Sequence, residues 1–389
     1  MKYRKFGKLD FKVSALGFGT MRLPIVGKDA ANINEPEAIK MIRYAIDHGV
    51  NYVDTAYPYH RGNSEPLVKK ALADGYRKKV KLATKMPTWL IKSRDDMDRY
   101  FDEQLTRLGM EQVDIYLLHG LGNEGWKKLL KFGVLKWLEQ KQDEAKIAYC
   151  GFSFHDEYDV FKKIIDGYDG WTLCQIQYNY MDTNHQAGTK GLRYAASKGL
   201  AVVIMEPIAG GMLAATPPAE VEAVWNKAEV KRTPAEWALQ WVWNQPEVSV
   251  VLSGMSTMEQ VKENVRSASR SSPNTLTKKE LQLFDQVVPK YKEFGFIGCT
   301  GCRYCMPCPE GVNIPQVISL LNEYLKDKND EIKKKYWEHI TPESQAKRCA
   351  RCGKCEELCP QKLSIRDVLD RAFWIFEQEM MTPPSSKRP

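Results

Sequence analysis

The sequence predicts an α/β protein in which a (β/α)₈ TIM barrel is followed by a smaller, mostly helical domain. Over the first 270 residues, short apolar runs alternate with amphipathic stretches, which is typical of a parallel barrel. Beyond residue 296, eight of the ten cysteines lie in two tight groups. These two observations separate the chain into a barrel and a cysteine-rich region.

Eight apolar runs are the predicted barrel strands. They lie at residues 15–19, 51–54, 80–85, 113–119, 148–153, 173–178, 201–206 and 248–254. Between them, apolar residues recur at helical spacing, and a hairpin at residues 3–6 and 11–13 precedes the barrel. The predicted helices include residues 37–48, 94–108 and 233–243, where Pro234 suits the first turn.

A doubly wound sheet is the alternative arrangement of the same elements. Its dinucleotide-binding motif requires a third glycine after Gly17-x-Gly19, and Arg22 occupies that position. The barrel is therefore favoured.

The barrel pattern ends near Ser269, where a polar segment begins. We predict a barrel over residues 1–270, a linker over 271–296 whose helix at 278–294 packs on the barrel, and a cysteine domain over 297–389. Within that domain we expect a charged helical insert at 315–337, an amphipathic helix at 365–380 and a frayed tail at 382–389.

Composition excludes several classes of protein. The chain has 389 residues, 43% of them hydrophobic, but it contains no apolar run of eighteen and starts with no secretory signal pattern. We therefore expect a cytoplasmic protein with no membrane partner. The net charge is +8, yet even the basic run at 333–335 is flanked by Glu331 and Glu338, as on a solvated helix face. We expect no nucleic-acid partner.

The two cysteine groups have the spacing of iron-sulfur ligands. They read Cys299-x-x-Cys302-x-x-Cys305-x-x-Cys308-Pro309 and Cys349-x-x-Cys352-x-x-Cys355-x-x-x-Cys359-Pro360. Three closely spaced thiolates bind one [4Fe-4S] cube, whereas the remote cysteine before proline ligates the other cube. The predicted sets are Cys299, Cys302 and Cys305 with Cys359, and Cys349, Cys352 and Cys355 with Cys308.

This segment resembles bacterial two-cluster ferredoxins, except that two residues rather than three precede the last cysteine of the first run. A pair of structural zinc sites is the alternative, because zinc also takes four cysteines. Zinc normally uses paired Cys-x-x-Cys knuckles, which favours two [4Fe-4S] clusters here. Cys150 and Cys174 lie on predicted strands and are expected in the core.

Polar side chains also collect where the predicted strands end. Asp54, Lys85, His119 and Ser153 each end a strand, and Tyr59 follows Asp54 in the next loop. Barrel enzymes place their sites at this end of the strands. Any one of these residues alone is more often structural, but together they indicate a site.

Carbonyl reduction is the chemistry that suits these residues. A phenol has a pKa near 10, and an adjacent ammonium such as Lys85 makes its proton easier to release. Asp54 can keep that lysine charged and oriented. His119 and Tyr59 can then stabilise the negative charge that develops on a substrate oxygen.

The motifs Asp54-Thr55-Ala56-x-x-Tyr59, Ala83-Thr84-Lys85 and Leu117-Leu118-His119 resemble the aldo-keto reductase tetrad. With the cysteine region, the whole chain resembles the iron-sulfur-containing members of that family. The resemblance implies an orienting Asp54, a proton-donating Tyr59, a pKa-lowering Lys85 and an oxygen-binding His119. Tyr57 is a rival proton donor, although the spacing favours Tyr59.

The resemblance also implies a nicotinamide cofactor, NADP(H) or NAD(H). Ser153 and Gln175 match the positions that bind its carboxamide, and six residues match those that hold its adenosine phosphate and adenine. These are Ser253, Gly254, Ser256, Gln260, Glu263 and Asn264. A helix that opens at Ser256 would favour a phosphate, although the same residues fit an ordinary cap with Ser256 as N-cap.

Three features depart from the family pattern. Phe154 stands where the family often has Asn, and Met205 stands where an aromatic usually stacks on the nicotinamide. Met255 and Gln260 replace the residues that often bind a 2′-phosphate, which leaves Lys262 and Arg266 as candidates. The preference between NADP and NAD is therefore open.

The leading hypothesis is an oxidoreductase that interconverts a small-molecule carbonyl and an alcohol. Each cluster transfers one electron, whereas a nicotinamide transfers two as a hydride. Two clusters together could hold both electrons, or a flavin could mediate between the nicotinamide and the clusters, although the sequence contains no flavin motif. The alternatives are an electron-transfer enzyme linked to a ferredoxin or another redox protein, and a redox-sensing regulatory protein without turnover. Three loop residues are candidates either for a substrate pocket or for packing: His60, Trp89 and Trp126.

Overall fold

The structure is a computed structural model, and it describes residues 1–378. The tail expected at residues 382–389 and the last two residues of the helix expected at 365–380 lie outside this range. The strands are β1 Tyr3–Lys5, β2 Lys12–Ser14, β3 Leu16–Gly19, β4 Tyr52–Asp54, β5 Lys81–Met86, β6 Val113–Leu121, β7 Ile147–Phe154, β8 Leu173–Gln177, β9 Ala201–Met205 and β10 Val248–Gly254.

Strands β3 to β10 form a closed barrel in which each strand is parallel to both neighbours. The ring closes where β10 pairs with β3, with Val251 opposite Leu16 and Gly254 opposite Gly19. The predicted barrel is confirmed and the doubly wound alternative is wrong. The apolar runs form continuous strands because both faces are buried, one in the barrel interior and one under the helices.

The antiparallel hairpin β1–β2 contacts residues that precede barrel strands. Lys8 N donates to Gly199 O at 2.9 Å, and Ser14 N donates to Asn51 Oδ1 at 2.7 Å. The guanidinium of Arg4 donates to Val248 O at 2.9 Å, and burial lowers its pKa to about 10. The hairpin thus covers the amino ends of the strands and leaves the carboxyl ends for a site.

Helices follow most of the strands. They are α1 Glu35–Asp47, α2 Ser64–Ala71, α3 Arg94–Leu108, α4 Asn123–Lys131, α5 Val134–Asp143, α6 Tyr158–Asp166, α7 Gly188–Ser197, α8 Ala219–Trp225, α9 Pro234–Trp243, α10 Met258–Ser269, α11 Lys278–Glu293, α12 Ile314–Asp327, α13 Asp330–His339, α14 Lys354–Glu357 and α15 Ile365–Phe373. A π-helical turn, Trp374–Gln378, follows α15.

Helix α3 shows how the sequence sets the limits of an element. Ser93 accepts a hydrogen bond from Asp96 N, and the Asp96 carboxylate accepts one from Ser93 N, which forms a capping box. Gly109 ends the helix in the left-handed conformation. The helix therefore begins and ends where the sequence predicts.

The chain divides into two compact units. The first comprises Met1–Pro207 and Glu236–Thr277, and the second comprises Ile208–Ala235 and the described residues from Lys278 onward. Within the second unit, the Trp225 and Phe284 rings of α8 and α11 meet edge to face at 5.0 Å. The domain limits expected at residues 270 and 296, and the packing of the 278–294 helix on the barrel, stay predictions.

The cysteine-rich part of the second unit has its own apolar core. Val317, Leu321, Tyr336, Leu369 and Phe376 are buried in it. The charged insert expected at 315–337 is helical and consists of α12 and α13, which are separated at Lys328, a residue in the left-handed conformation with φ of 47°. No helix among residues 1–378 is long and apolar enough to cross a membrane.

Candidate active site and metal centre

Four polar side chains meet at the carboxyl end of the barrel. Asp54 ends β4, Lys85 and His119 lie near the ends of β5 and β6, and Tyr59 begins the 3₁₀ turn Tyr59–Gly62. Adjacent parallel strands end at the same rim, so the loops of the barrel bring these residues together from distant positions in the chain.

Lys85 is the centre of this group. Its Nζ lies 2.7 Å from Asp54 Oδ1, 2.8 Å from Thr55 O and 3.4 Å from Tyr59 Oη. The rings of Tyr59 and His119 are 6.2 Å apart and nearly perpendicular. A substrate oxygen that approaches Tyr59 can therefore also reach His119.

Tyr57, the rival proton donor, points elsewhere. Its hydroxyl donates to Glu103 Oε2 at 3.2 Å, and the Arg107 guanidinium lies 4.1 Å from the centre of its ring. Both partners belong to α3, in the helical layer. Lys85 therefore has Tyr59 beside it, as the sequence spacing favours.

Burial controls the charges at this site. Lys85 is fully buried and Asp54 is 2% exposed, and loss of water lowers the pKa of Lys85 and raises that of Asp54. Their ion pair opposes both shifts. Burial also lowers the pKa of His119 well below its usual value, with a smaller effect from the charge of Lys85. His119 is therefore a neutral imidazole at neutral pH.

Of the three candidate pocket residues, only Trp89 lies beside the four. It is 47% exposed, and its ring is 5.2 Å from that of His119. The His60 ring is engaged by backbone groups, Ala30 O at 2.7 Å and Leu23 N at 3.2 Å. Trp126 is buried against Trp171. His60 and Trp126 are thus packing residues.

The two residues expected to bind the nicotinamide carboxamide lie on neighbouring strands. Ser153 in β7 is opposite Gln175 in β8, and both are buried. Ser153 Oγ accepts from Gly120 N at 2.7 Å, and Gln175 Nε2 lies 3.6 Å from the sulfur of Met205. Gln175 Oε1 is buried with no hydrogen-bond partner among the described residues. An amide donor such as a carboxamide would satisfy this acceptor.

The residues expected at the adenosine end lie at the end of β10 and in α10. Asn264 Nδ2 donates to Ser253 Oγ at 3.0 Å, and Ser256 Oγ donates to Arg22 O at 2.7 Å. The alternative in which Ser256 is the N-cap of α10 is wrong. Thr257 takes that place and accepts from Gln260 N, while Gln260 Oε1 accepts from Ser256 N at 2.8 Å. Gly254 and Glu263 lie in the same two elements.

Sequence reasoning missed a polar network on the outer side of β5. Glu65, Thr84 and Gln104 are buried and hydrogen-bonded to one another. One signal was available, because Gln104 interrupts the apolar face that Met97 and Phe101 define on α3. A polar residue in such a face has a buried partner more often than not.

The eight clustered cysteines all lie in the second unit, and none is in a disulfide. Within residues 1–378, no three His, Cys, Asp or Glu side chains converge so as to hold one metal ion. The surroundings of the thiols nevertheless group them. Burial, and then the neighbouring thiols of Cys302, Cys299 and Cys359, raise the pKa of Cys305 to about 12. These four are the first predicted ligand set.

The second predicted set surrounds a cavity of about 220 Å³. Cys308, Cys349, Cys352 and Cys355 all line it, and Cys305 reaches it as well. Cys308 thus lies with the second run, although the sequence places it in the first. A cavity lined by five thiols, four of them the second predicted set, fits a sulfur-ligated cluster.

One buried carboxylate organises the backbone before Cys349. Glu377, in the π-helical turn, accepts hydrogen bonds from Ala346 N at 2.9 Å, Lys347 N at 3.2 Å and the Tyr336 hydroxyl. The turn Ala346–Arg348 leads directly into Cys349. Glu377 therefore fixes the approach to the second cysteine run.

Cys150 and Cys174 are fully buried, and burial raises the pKa of both thiols. Cys150 lies in β7 and Cys174 in β8. They are core residues, as the sequence predicts.

Two family models match separate parts of the chain. Residues 15–289 match the aldo/keto reductase family, and residues 298–363 match a 4Fe-4S dicluster domain. All eight clustered cysteines lie in the second match. The same order of regions was expected from the motifs.

Similar proteins include an L-galactose dehydrogenase from Arabidopsis thaliana, 28% identical over an alignment of 288 residues that covers 68% of this chain and 87% of the relative. An NADH-specific methylglyoxal reductase from Escherichia coli is 26% identical over an alignment of 314 residues that covers 68% of this chain and 93% of the relative. A solved structure, the holo form of the aldo-keto reductase AKR11C1 from Bacillus halodurans, is 28% identical. It covers 74% of this chain and 96% of its own, with a TM-score of 0.60.

Proposed function

Because this chain belongs to the aldo/keto reductase family and is an oxidoreductase with a 4Fe-4S dicluster domain, we propose that its barrel interconverts a small-molecule carbonyl and an alcohol. The observation that carries this proposal is the position of Lys85 Nζ, 2.7 Å from Asp54 Oδ1 and 3.4 Å from Tyr59 Oη. Such an arrangement lets a phenol act as an acid near neutral pH.

In the reducing direction, Tyr59 gives its hydroxyl proton to the substrate oxygen. The Lys85 ammonium stabilises the phenolate that remains, and Asp54 holds Lys85 in place. His119, neutral because it is buried, donates an N–H hydrogen bond to the same oxygen and stabilises its developing charge. A nicotinamide, when bound, supplies the hydride that goes to the carbonyl carbon, so that the product is an alcohol.

The residues around Gln175 fit a nicotinamide. The buried Oε1 of Gln175, which has no hydrogen-bond partner among the described residues, and the hydroxyl of Ser153 would hold the carboxamide of the nicotinamide. Ser253, Gly254, Ser256, Gln260, Glu263 and Asn264 would hold the adenosine half, with Lys262 and Arg266 available for a 2′-phosphate. One similar protein is named for NADH and a ketoaldehyde, another for dehydrogenation of a sugar. The first name agrees with NAD(H) as the cofactor, and both names agree with a carbonyl or alcohol substrate.

The cysteines would hold two [4Fe-4S] clusters, in the crossed sets predicted from the sequence. The charge coupling around Cys305 and the cavity around Cys308 support one set each. The clusters would carry single electrons to or from a ferredoxin or another redox protein. Metal content distinguishes the two assignments. Two [4Fe-4S] clusters contain about eight iron atoms per chain, whereas two zinc sites contain no iron.

The test is a pair of matched substitutions at two tyrosines. NAD(P)H oxidation with a panel of aldehydes and ketones is measured anaerobically for the wild type, Tyr59→Phe and Tyr57→Phe. Tyr59→Phe should lower kcat by about 10²–10⁴, the usual contribution of a general acid. Tyr57→Phe should leave kcat nearly unchanged, because its hydroxyl binds Glu103. Full activity of Tyr59→Phe would show that the proposed acid is wrong.

A further inference from the structure

A second buried carboxylate lies beside the backbone that carries Lys85. Glu65 in α2 is fully buried, and its Oε1 accepts hydrogen bonds from Thr84 Oγ1 and Gln104 Nε2, both at 2.7 Å. Its Oε2 forms a longer ion pair with Arg107, at 3.5 Å. A hydroxyl and an amide N–H donate to one oxygen of this carboxylate, and a guanidinium lies within ion-pair distance of the other. Burial raises the pKa of Glu65, and the hydrogen bonds from Thr84 and Gln104 and the charge of Arg107 oppose that shift and favour the anion.

Gln104 connects this anion to Lys85. Its Nε2 also lies 3.1 Å from the backbone oxygen of Lys85, and its Oε1 accepts from Tyr116 Oη at 2.7 Å. Thr84 precedes Lys85 on β5, and successive side chains of a strand point to opposite faces. Glu65 therefore holds the outer side of β5 at the position from which Lys85 extends toward Tyr59.

We propose that Glu65 is a positioning residue for Lys85, one that fixes the β5 backbone through Gln104 and Thr84 and places a second negative charge near the buried ammonium. This inference rests on the function proposed above, in which Lys85 must be charged. Asp54 alone would have to offset the burial of the ammonium if Glu65 were neutral.

The charges around the two groups agree with this role. Lys85 faces Asp54 of β4, Tyr59 of the 3₁₀ turn and His119 of β6, while Glu65 faces Arg107 of α3 and Tyr116 of β6. Burial lowers the pKa of Lys85, and Asp54 and then Glu65 oppose that shift. Loss of the Glu65 charge should therefore lower the pKa of Lys85 further.

The experiment compares Glu65→Gln, which removes the charge and keeps the shape, with Glu103→Gln. Glu103 also pairs with Arg107, but it touches Tyr57 rather than Thr84 or Gln104. Titration of Lys85 is followed by NMR of ¹³Cε-labelled lysine and assigned with Lys85→Met, and the pH profile of kcat is measured on the same proteins. Glu65→Gln should lower the Lys85 midpoint, and the high-pH limb of kcat, by about one pH unit. Glu103→Gln should change neither.

Thr84→Val provides a second variant if Glu65→Gln does not fold. It removes one donor to Glu65 and should shift the Lys85 midpoint in the same direction by a smaller amount. An unchanged midpoint in a folded variant of either kind overturns the inference, even if stability or kcat falls. Because the NMR titration needs no turnover, a wild type that reduces no carbonyl contradicts the proposed function alone and leaves the Glu65 result readable.

Discussion

The barrel site and the cysteine region differ in how much of their geometry the polypeptide supplies. At the barrel site, Lys85 Nζ donates hydrogen bonds to Asp54 and Thr55, and Gln104 donates one to the Lys85 backbone oxygen in β5. In the cysteine region, five thiols line a cavity, and burial and the neighbouring thiols raise the pKa of Cys305. Protein groups thus orient the catalytic side chains of the proposed first site, whereas the function proposed for the second depends on bound clusters. We expect the barrel site to tolerate loss of the clusters, and the cysteine region to depend on them.

The largest effect should come from the crossed ligands. We expect Cys308→Ser to reduce iron from about eight to about four atoms per chain, because one cube of two is lost. Adding Cys352→Ser, in the same predicted set, should remove no further iron. Adding Cys299→Ser, in the other set, should remove nearly all of it.

Iron analysis and absorbance near 400 nm measure these outcomes. Cys150→Ala is the control, since that cysteine is buried in the barrel, and it should keep the full iron content. If Cys308→Ser with Cys299→Ser retains four irons, the ligand sets are not crossed. If the wild-type protein contains zinc and no iron, the proposal of two [4Fe-4S] clusters is wrong.

Like the barrel site, the cysteine region contains a buried carboxylate that accepts several hydrogen bonds, namely that of Glu377. Glu377→Ala should leave Lys347 N–H and the Tyr336 hydroxyl without their buried acceptor, at about 1–3 kcal/mol each. The turn before Cys349 should then loosen, and iron should be lost to a chelator about tenfold faster or more. Glu357→Ala, at an exposed glutamate near Cys355, is the matched control. Equal release rates in the two variants would mean that Glu377 does not stabilise the second site.

Because His119 is buried at the barrel site, the free energy of unfolding should depend on pH. The folded pKa of His119 is lowered well below 6.5, so the unfolded chain binds a proton that the folded chain refuses. Stability should therefore fall as pH decreases below about 6.5, by up to about 1.4 kcal/mol per pH unit. His119→Asn should lose this part of the slope. Thermal melts between pH 5 and 7 measure it, and His60, whose pKa burial also lowers, contributes equally to both proteins.

A helix cap should give the smallest effect. Ser93→Ala removes the capping box of α3, at a cost of about 1 kcal/mol, which corresponds to a Tm lower by about 2–4 °C for a barrel of this size. Ser269→Ala, at the other end of a barrel helix, should change Tm less. A larger drop for Ser93→Ala, accompanied by loss of kcat, would mean that α3 and Gln104 control the site more tightly than its hydrogen bonds indicate.

Sequence reasoning succeeded where one local signal decides the structure. The strands were found because each is a short apolar run, and the cysteines because their spacing is ligand spacing. The cap at Thr257 was missed because Ser256 and Thr257 are both good caps and only backbone geometry selects between them. Glu65, Thr84 and Gln104 were missed for another reason, since a buried polar network joins positions that no local pattern relates. The sequence does not decide between a pocket role and a packing role for His60, because its backbone partners, Leu23 and Ala30, come near it only in the folded chain.

The closure of the ring has a consequence for synthesis. Strand β3 finds its second neighbour only in β10, more than two hundred residues later. At about 5–20 residues per second, the ribosome needs roughly 10 to 50 s to make that interval. During this time the nascent sheet has open edges, which pair readily with other chains. Both cysteine runs follow β10 in the sequence, so their thiols are synthesised only after every barrel strand has been made.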